Sequence, residues 1–334
     1  MPKILIIRFS SIGDIVLASP VFRCVKKQLP DAEVHLITKH SFKMVTAHNP
    51  YIDKFYYYDN NMDELIADLK KENYDYVIDL HNNIRSNKIK RALKKKTSTI
   101  NKLSVQKLLL TKFKINVMPG EHITKRSLQT VAALGVKDDG LGLDYFISEK
   151  DEVSQSDIPN SHHLGFIAIV IGANHNTKKM PVPKLQELCS KINYPIILLG
   201  GKQEQDEASE IASVDSIKIY NACGKFSLNE SADIIRQSKM VVSHDTGLQY
   251  IACAYNKYVL AIWGGTSPKL DVEPYYGSGF IQHPSAMYEN IVLNLWCQPC
   301  SKYGVKSCPL GHFKCMQNHD INAIVNKVHL RLGK

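Results

Sequence analysis

Short apolar runs alternate along this chain with longer segments whose apolar positions follow a helical period. In the first half, four runs predict buried β-strands, at Lys3–Phe9, Glu33–Thr38, Lys54–Tyr58 and Tyr76–Leu80. The intervening segments predict helices at Ile15–Gln28, Ser41–His48 and Met62–Glu72. Strands that alternate with helices in this way indicate βαβ units and a parallel sheet.

A second alternating series begins after a polar stretch at Ser148–His163, which we interpret as an interdomain linker. Five further strands are predicted at Leu164–Ile171, Pro195–Leu199, Ser216–Tyr220, Met240–Ser243 and Tyr258–Trp263. Helices are predicted at Val182–Ile192, Gln203–Ala212, Ser227–Gln237, Thr246–Tyr255 and Asn322–Arg331. The predicted fold class is therefore α/β, with Rossmann-like doubly wound domains at residues 1–158 and 159–320 and a C-terminal helix over residues 321–334. We expect the two domains to face a central cleft.

The turn after the first strand, residues 10–14, holds a single carboxylate, that of Asp14. In open α/β sheets, ligands bind at the carboxyl ends of the strands, so Asp14 is a candidate catalytic residue. The alternative is structural, because an acid at this position also favours the positive end of the following helix. The turn matches neither a dinucleotide-binding nor a P-loop fingerprint.

Four loops in the second half bring small residues, hydroxyls and lysines to consecutive strand ends. Asp245, Thr246 and Gly247 open a helix, whose free N–H groups form an anion site. The other loops contain Lys178 and Lys179, the Gly200–Gly201 pair, and residues 263–268. Together they predict a cradle for a nucleotide diphosphate, although each loop alone is also compatible with an ordinary capped helix.

The net charge of +10 is unevenly distributed, since residues 85–114 contain eleven basic residues and no acid. Such a segment suits an anionic partner, a phosphorylated substrate or an anionic lipid surface, or else forms a solvated helix face. We expect no nucleic-acid partner, because no helix-turn-helix, RNA-recognition or zinc-finger pattern is present. No apolar run has the length of a membrane span or of a signal-peptide core, so we expect cytoplasmic residence.

Four of the eight cysteines cluster near the C-terminus with the spacing C-x2-C-x7-C-x6-C, at Cys297, Cys300, Cys308 and Cys315. Disulfides are unfavourable in a reducing compartment. A four-thiolate zinc site is one interpretation, and reduced thiols or a redox-sensitive cluster are the others.

The ordered set of motifs resembles glycosyltransferase family 9, the ADP-heptose:lipopolysaccharide heptosyltransferases, over nearly the whole chain. The resemblance rests on the turn at residues 10–14, the segment Val77–Ser86, and the loops with Gly172-Ala173, Lys178–Pro181, Gly200-Gly201, Asp245–Leu248 and Trp263–Thr266. The cysteine cluster is also similar to that of some members.

This resemblance implies a GT-B fold and an inverting transfer from ADP-heptose to a lipid-anchored lipopolysaccharide core acceptor of the lipid A-Kdo type, with no cofactor or essential metal. It implies that Asp14 is the catalytic base and that Ser11, Gly13 and Arg85 contact the acceptor. The donor-binding residues that it implies are Lys178, Lys179, Gly201, Asp245, Thr246, Gly247 and Leu248. A peripheral position on the cytoplasmic face of the inner membrane would give access to such an acceptor. The alternatives are a different nucleotide-sugar donor on the same fold and a non-catalytic GT-B binding protein.

Overall fold

The computed structural model describes residues 1–278 and 287–333 of the chain. Contacts between residues divide it into two compact units. The first comprises Met1–Leu103, Glu121–Phe146 and residues 277–278, and the second comprises Ser104–Gly120, Ile147–Tyr276 and residues 287–333. This division falls at residue 146, whereas the polar stretch in the sequence suggested residue 158, and it assigns residues 104–120 to the second unit.

The first unit is built on a parallel sheet. Its described strands are β1 (Lys3–Ile7), β2 (Glu33–Lys39), β3 (Lys54–Tyr58), β4 (Tyr76–Asp79) and β5 (Lys96–Thr99), in the order β3-β2-β1-β4-β5. Its α-helices are α1 (Ile12–Val16), α2 (Ser19–Gln28), α3 (Lys43–Thr46), α4 (Met62–Lys71), α5 (Ile84–Leu93) and α7 (Ile123–Gln129). β1 lies at the centre, so the turn that follows it lies beside the end of β4.

Apolar residues cover both faces of this sheet. Ile4 and Ile6 pack on one face with the apolar side of α2, while Leu5 and Ile7 pack on the other face with residues of α4 and α5. A strand buried on both faces explains the unbroken apolar run at the start of the chain.

Two expected elements of the first unit differ in the structure. The helix predicted over Ile15–Gln28 is two helices, because Pro20 has no N–H to donate and Ser19 Oγ instead donates to the Val16 carbonyl at 2.7 Å. The basic stretch at residues 85–114, for which a solvated helix face was one alternative, contains the edge strand β5. Among the described strands, β5 pairs with β4 alone, so its polar residues remain partly exposed and its sequence lacks the apolar character of a buried strand.

The second unit contains a larger parallel sheet. Its described strands are β6 (Ile167–Val170), β7 (Ile196–Leu199), β8 (Ile219–Asn221), β9 (Val241–His244), β10 (Val259–Ile262) and β11 (Tyr288–Ile291), in the order β11-β10-β9-β6-β7-β8. Its α-helices are α6 (Ser104–Leu108), α8 (Val182–Lys191), α9 (Gln205–Ala212), α10 (Leu228–Gln237), α11 (Gly247–Ala254), α12 (Lys314–Gln317) and α13 (Ile321–Arg331). The chain order reverses between β6 and β9, and such switch points are where open α/β sheets bind ligands.

Candidate active site

The carboxylate of Asp14 lies just beyond the end of β1, in the first turn of α1. Its Oδ2 accepts hydrogen bonds from Ser11 N at 3.1 Å and from Ser11 Oγ at 2.8 Å. Its Oδ1 lies 2.6 Å from Arg8 Nη2. The Asp14 side chain is 40% exposed, whereas that of Arg8 is 9% exposed. The arginine therefore supports the carboxylate from inside the protein and leaves it accessible to a ligand.

Arg8 is held in place by the neighbouring strand, since its Nη1 donates to the Leu80 carbonyl just after β4. The next residue, His81, packs its ring edge-to-face against Phe9, with the ring centroids 5.3 Å apart. Burial, followed by the positive charge of Arg8, lowers the pKa of His81 to about 4, so this imidazole is neutral at pH 7. The ends of β1 and β4 thus bring together one carboxylate, one guanidinium and one neutral imidazole.

Partial burial opposes the charge on Asp14, but Arg8 and the two Ser11 hydrogen bonds outweigh it and hold the pKa of the carboxyl below its usual range. Asp14 is therefore ionised at neutral pH and can accept a proton without first losing one. Sequence reasoning missed Arg8, which it treated only as part of an apolar strand. The signal was a lone arginine inside that run, because a charged residue at a buried position requires a partner.

If Arg8 sustains this ionisation, Arg8→Met should raise the pKa of Asp14, since the carboxylate loses its nearest cation. We expect the acid limb of the pH profile of kcat/KM to move upward by about 1–3 pH units. Steady-state rates measured from pH 4 to 9 would test this. The matched control is Arg91→Met at an exposed arginine of the same unit. An acid limb that stays at the same pH in a folded Arg8→Met variant would contradict the assignment.

The basic residues of the segment 85–114 lie in different environments in the structure. Arg85 is exposed in the first turn of α5, with its guanidinium 6.0 Å from the centre of the Tyr58 ring. Lys90, in contrast, is paired with the buried Asp79 at 2.8 Å, and Lys88 lies 2.6 Å from Asp63. Ion pairs within the first unit therefore occupy part of the positive charge of this stretch.

In the second unit, Asp245 follows β9 and is the centre of a buried polar cluster. Lys178 Nζ lies 2.7 Å from Asp245 Oδ2 and also donates to the Asp245 carbonyl at 3.1 Å. Thr266 Oγ1 donates to the same Oδ2 at 2.8 Å. The N-cap of α11 is Thr246, and Gly247 and Leu248 form its first turn. A lysine therefore lies beside a helix N-terminus, and both attract anions.

The two adjacent lysines point to different partners. Lys179 lies 3.5 Å from Glu204 and 2.6 Å from Glu207, away from Asp245. The Gly201 N–H donates to Glu204 Oε2 at 2.9 Å. The structure thus brings Lys178, Asp245 and Thr246 together and places Lys179 and Gly201 in a second cluster around Glu204. Sequence reasoning could not separate the two lysines, because both lie in one loop.

The four clustered cysteines line a single cavity beside Gly264 and Gly265. Cys315 is buried, and Cys297, Cys300 and Cys308 are partly buried. Elsewhere, the ligand-type atoms of Glu33, His35 and Glu72 lie within 4.8 Å of one another. Because Lys3 and Lys54 pair with Glu72 there, that group forms an ion-pair network. None of the helices in residues 1–278 and 287–333 is long and apolar enough to cross a bilayer.

The chain has the GT-B fold of two doubly wound parallel sheets, one ending in a supported carboxylate and the other in a lysine beside a helix N-terminus. The chain belongs to glycosyltransferase family 9 (heptosyltransferase), whose family model matches residues 62–309. The expectations of this family, of the GT-B fold and of glycosyltransferase activity are confirmed.

Individual relatives agree with this assignment. Lipopolysaccharide heptosyltransferase 1 of Campylobacter coli is 27% identical over 295 residues, which cover 79% of this chain and 84% of the relative. Escherichia coli ADP-heptose lipopolysaccharide heptosyltransferase II superposes with a TM-score of 0.73 at 17% identity, covering 99% of this chain and 98% of that one. E. coli heptosyltransferase WaaC with ADP superposes with a TM-score of 0.66 at 17% identity, covering 98% and 99%. At these identities, the structural likeness supports the fold.

Proposed function

We propose that this glycosyltransferase transfers heptose from ADP-heptose to a lipopolysaccharide core acceptor of the lipid A-Kdo type, with inversion at the sugar carbon and without a catalytic metal ion or other cofactor. Family membership and the names of the relatives support the sugar and the acceptor. The observation that carries the donor assignment is the Lys178 ammonium beside Asp245 and the N-terminus of α11.

On this proposal, the diphosphate of the donor binds Lys178 and the N–H groups at the start of α11. Asp245 would repel a phosphate placed directly on it, so its role is to hold Lys178 and to accept a hydrogen bond from a sugar or ribose hydroxyl. Thr266 helps to hold Asp245 in place, because its hydroxyl donates to the same carboxylate oxygen that Lys178 contacts. The donor site contains Thr246, Gly247 and Leu248, where the turn allows phosphate to approach the backbone.

The proposed reaction is a single displacement. Asp14 accepts the proton of an acceptor hydroxyl, and the hydroxyl oxygen attacks the anomeric carbon of the heptose. The bond from that carbon to the diphosphate oxygen breaks on the opposite face, so ADP leaves with the bonding electrons and the configuration inverts. Lys178 and the positive end of α11 stabilise the charge that develops on the leaving diphosphate, the part that a metal ion plays in other transferases.

The acceptor-binding group comprises Ser11, Gly13 and Arg85. Ser11 and Gly13 adjoin Asp14, and Arg85 presents an exposed guanidinium in the same unit. A guanidinium binds the phosphates or carboxylates of an anionic glycan with paired hydrogen bonds. For a lipid-anchored acceptor, we further propose a cytoplasmic protein that works peripherally at the inner membrane.

An assay with three donor classes would test this proposal. Purified protein is incubated with ADP-heptose, a UDP-hexose or a GDP-hexose and a panel of truncated core acceptors, and the products are read by mass spectrometry. We expect addition of one heptose from the ADP donor alone. Transfer from a UDP- or GDP-sugar instead would replace the donor assignment. A folded protein that binds ADP and transfers from none of the donors would indicate a non-catalytic binding protein.

A further inference from the structure

A long irregular segment carries the cysteine cluster, and little secondary structure holds it. Between Ile291 at the end of β11 and Lys314 at the start of α12, the chain contains no helix or strand. Loops of this length without secondary structure are uncommon in compact domains and most of them have a function. The C-x2-C pair at Cys297 and Cys300, with two further cysteines, has the type of spacing found in structural metal sites.

The four cysteines line one cavity although they are spread over nineteen positions, from residue 297 to residue 315. Cys315 is buried, the other three are partly buried, and His312 lines the same cavity. Cysteine binds a divalent cation as the thiolate, so a metal ion in this cavity would replace the thiol protons.

The charge around the cluster favours an anionic centre. From residue 296 to residue 317 the chain has three lysines and no acid. Lys114, from another segment, donates its Nζ to the carbonyls of Thr111, Cys297 and Pro299 at 2.7–2.9 Å. This ammonium group is thus anchored against the C-x2-C turn, and a divalent ion with four thiolates carries a net charge of −2 that it would partly neutralise.

We propose that Cys297, Cys300, Cys308 and Cys315 bind one divalent metal ion in a tetrahedral tetrathiolate site, filled by Zn²⁺ or Fe²⁺. Binding releases four thiol protons to solvent and changes no oxidation state. His312 Nε2 lies 3.8 Å from the Cys297 sulfur and orients it through a hydrogen bond. In the described part of the chain, only the Glu33 group brings three ligand atoms within 4.8 Å of one another, so metal binding requires the cysteine segment to contract.

A metal ion at this site would stabilise the two loops that form the Lys178–Asp245 cluster. Gln298 Nε2 donates to the carbonyls of Trp263, Gly264 and Thr266, and the Thr266 hydroxyl in turn donates to Asp245. Val305 exchanges hydrogen bonds with Thr177, the residue before Lys178. The segment therefore contacts both loops of the Lys178–Asp245 cluster, and the metal would fix these contacts rather than take part in the transfer.

Metal analysis of the purified chain tests the proposal without any substrate. Protein prepared without oxygen or chelators should contain about one zinc or iron per chain by elemental mass spectrometry. Cys308→Ser and Cys315→Ser should each lose most of it, whereas Cys223→Ala, which removes a buried thiol of the same unit outside the cluster, should retain it. Chelation should lower the Tm of the native chain and leave the Tm of Cys308→Ser unchanged.

A titration of the native protein with Co²⁺ tests the proposal even if the cysteine variants do not fold. Chelator-treated native protein titrated with Co²⁺ should develop thiolate-to-cobalt charge-transfer absorption and the intense visible bands of tetrahedral coordination, saturating at one equivalent. A native chain that contains no metal and gives no such spectrum would overturn the proposal, as would disulfides among the four cysteines or full metal content in a chain that lacks all four. Because none of these measurements involves transfer, the site and the proposed function can fail separately.

Discussion

Asp14→Asn should abolish most of the transfer activity while leaving ADP bound nearly as tightly as before. The amide is close in shape to the carboxylate and can still accept from Ser11, but it cannot take a proton from the acceptor hydroxyl. Loss of a general base lowers kcat by about 10²–10⁴-fold. Donor binding should hardly change, because Lys178 and the start of α11 hold the diphosphate on the proposed mechanism.

Single-turnover rates and ADP titration calorimetry would measure the two effects separately. The control is Asp59→Asn, which neutralises a carboxylate on the same unit that is 72% exposed and lies 3.9 Å from His40. Asp14→Glu should keep part of the activity, since a carboxylate remains within reach. Native turnover by a folded Asp14→Asn variant would leave Asp14 only its structural role in the first turn of α1.

Lys178→Met is expected to have the second large effect, a loss of about 10²–10³-fold in kcat with weaker ADP binding. The ammonium group would stabilise charge that increases on the diphosphate as the sugar leaves, so its removal costs more in the transition state than in the ground state. The variant also leaves Asp245 without its cation in a buried cluster, so circular dichroism and Tm should accompany the kinetics.

The adjacent lysine provides the matched comparison for this experiment. Lys179→Met removes the same charge one residue away, but that charge is paired with Glu204 and Glu207. We expect it to change kcat much less than Lys178→Met and to act mainly on stability. Equal losses of activity in the two variants, or a larger loss at Lys179, would contradict the assignment of Lys178 to the diphosphate.

The alternation of apolar runs with helical segments predicted most of the strands and helices of the fold. Strands that are buried on both faces produce continuous apolar runs, which are easy to recognise in a sequence. The seven buried strands β1, β2, β4, β6, β7, β9 and β10, and the partly exposed edge strand β3, were all expected near their observed bounds. β5 was missed because a polar edge strand need not be apolar. The break between α1 and α2 was missed because the apolar period continues through Pro20 even though its missing N–H ends the hydrogen-bond ladder.

By itself, the sequence determined the parallel α/β class, the candidate carboxylate at Asp14 and the membership of a transferase family, because these depend on short patterns and their order. Only the tertiary structure decided which residues support the chemistry. It paired Arg8 with Asp14, separated Lys178 from Lys179 and brought four distant cysteines to one cavity. These relations join strands and loops far apart in the chain, and they depend on strand order and side-chain direction, which no local pattern specifies.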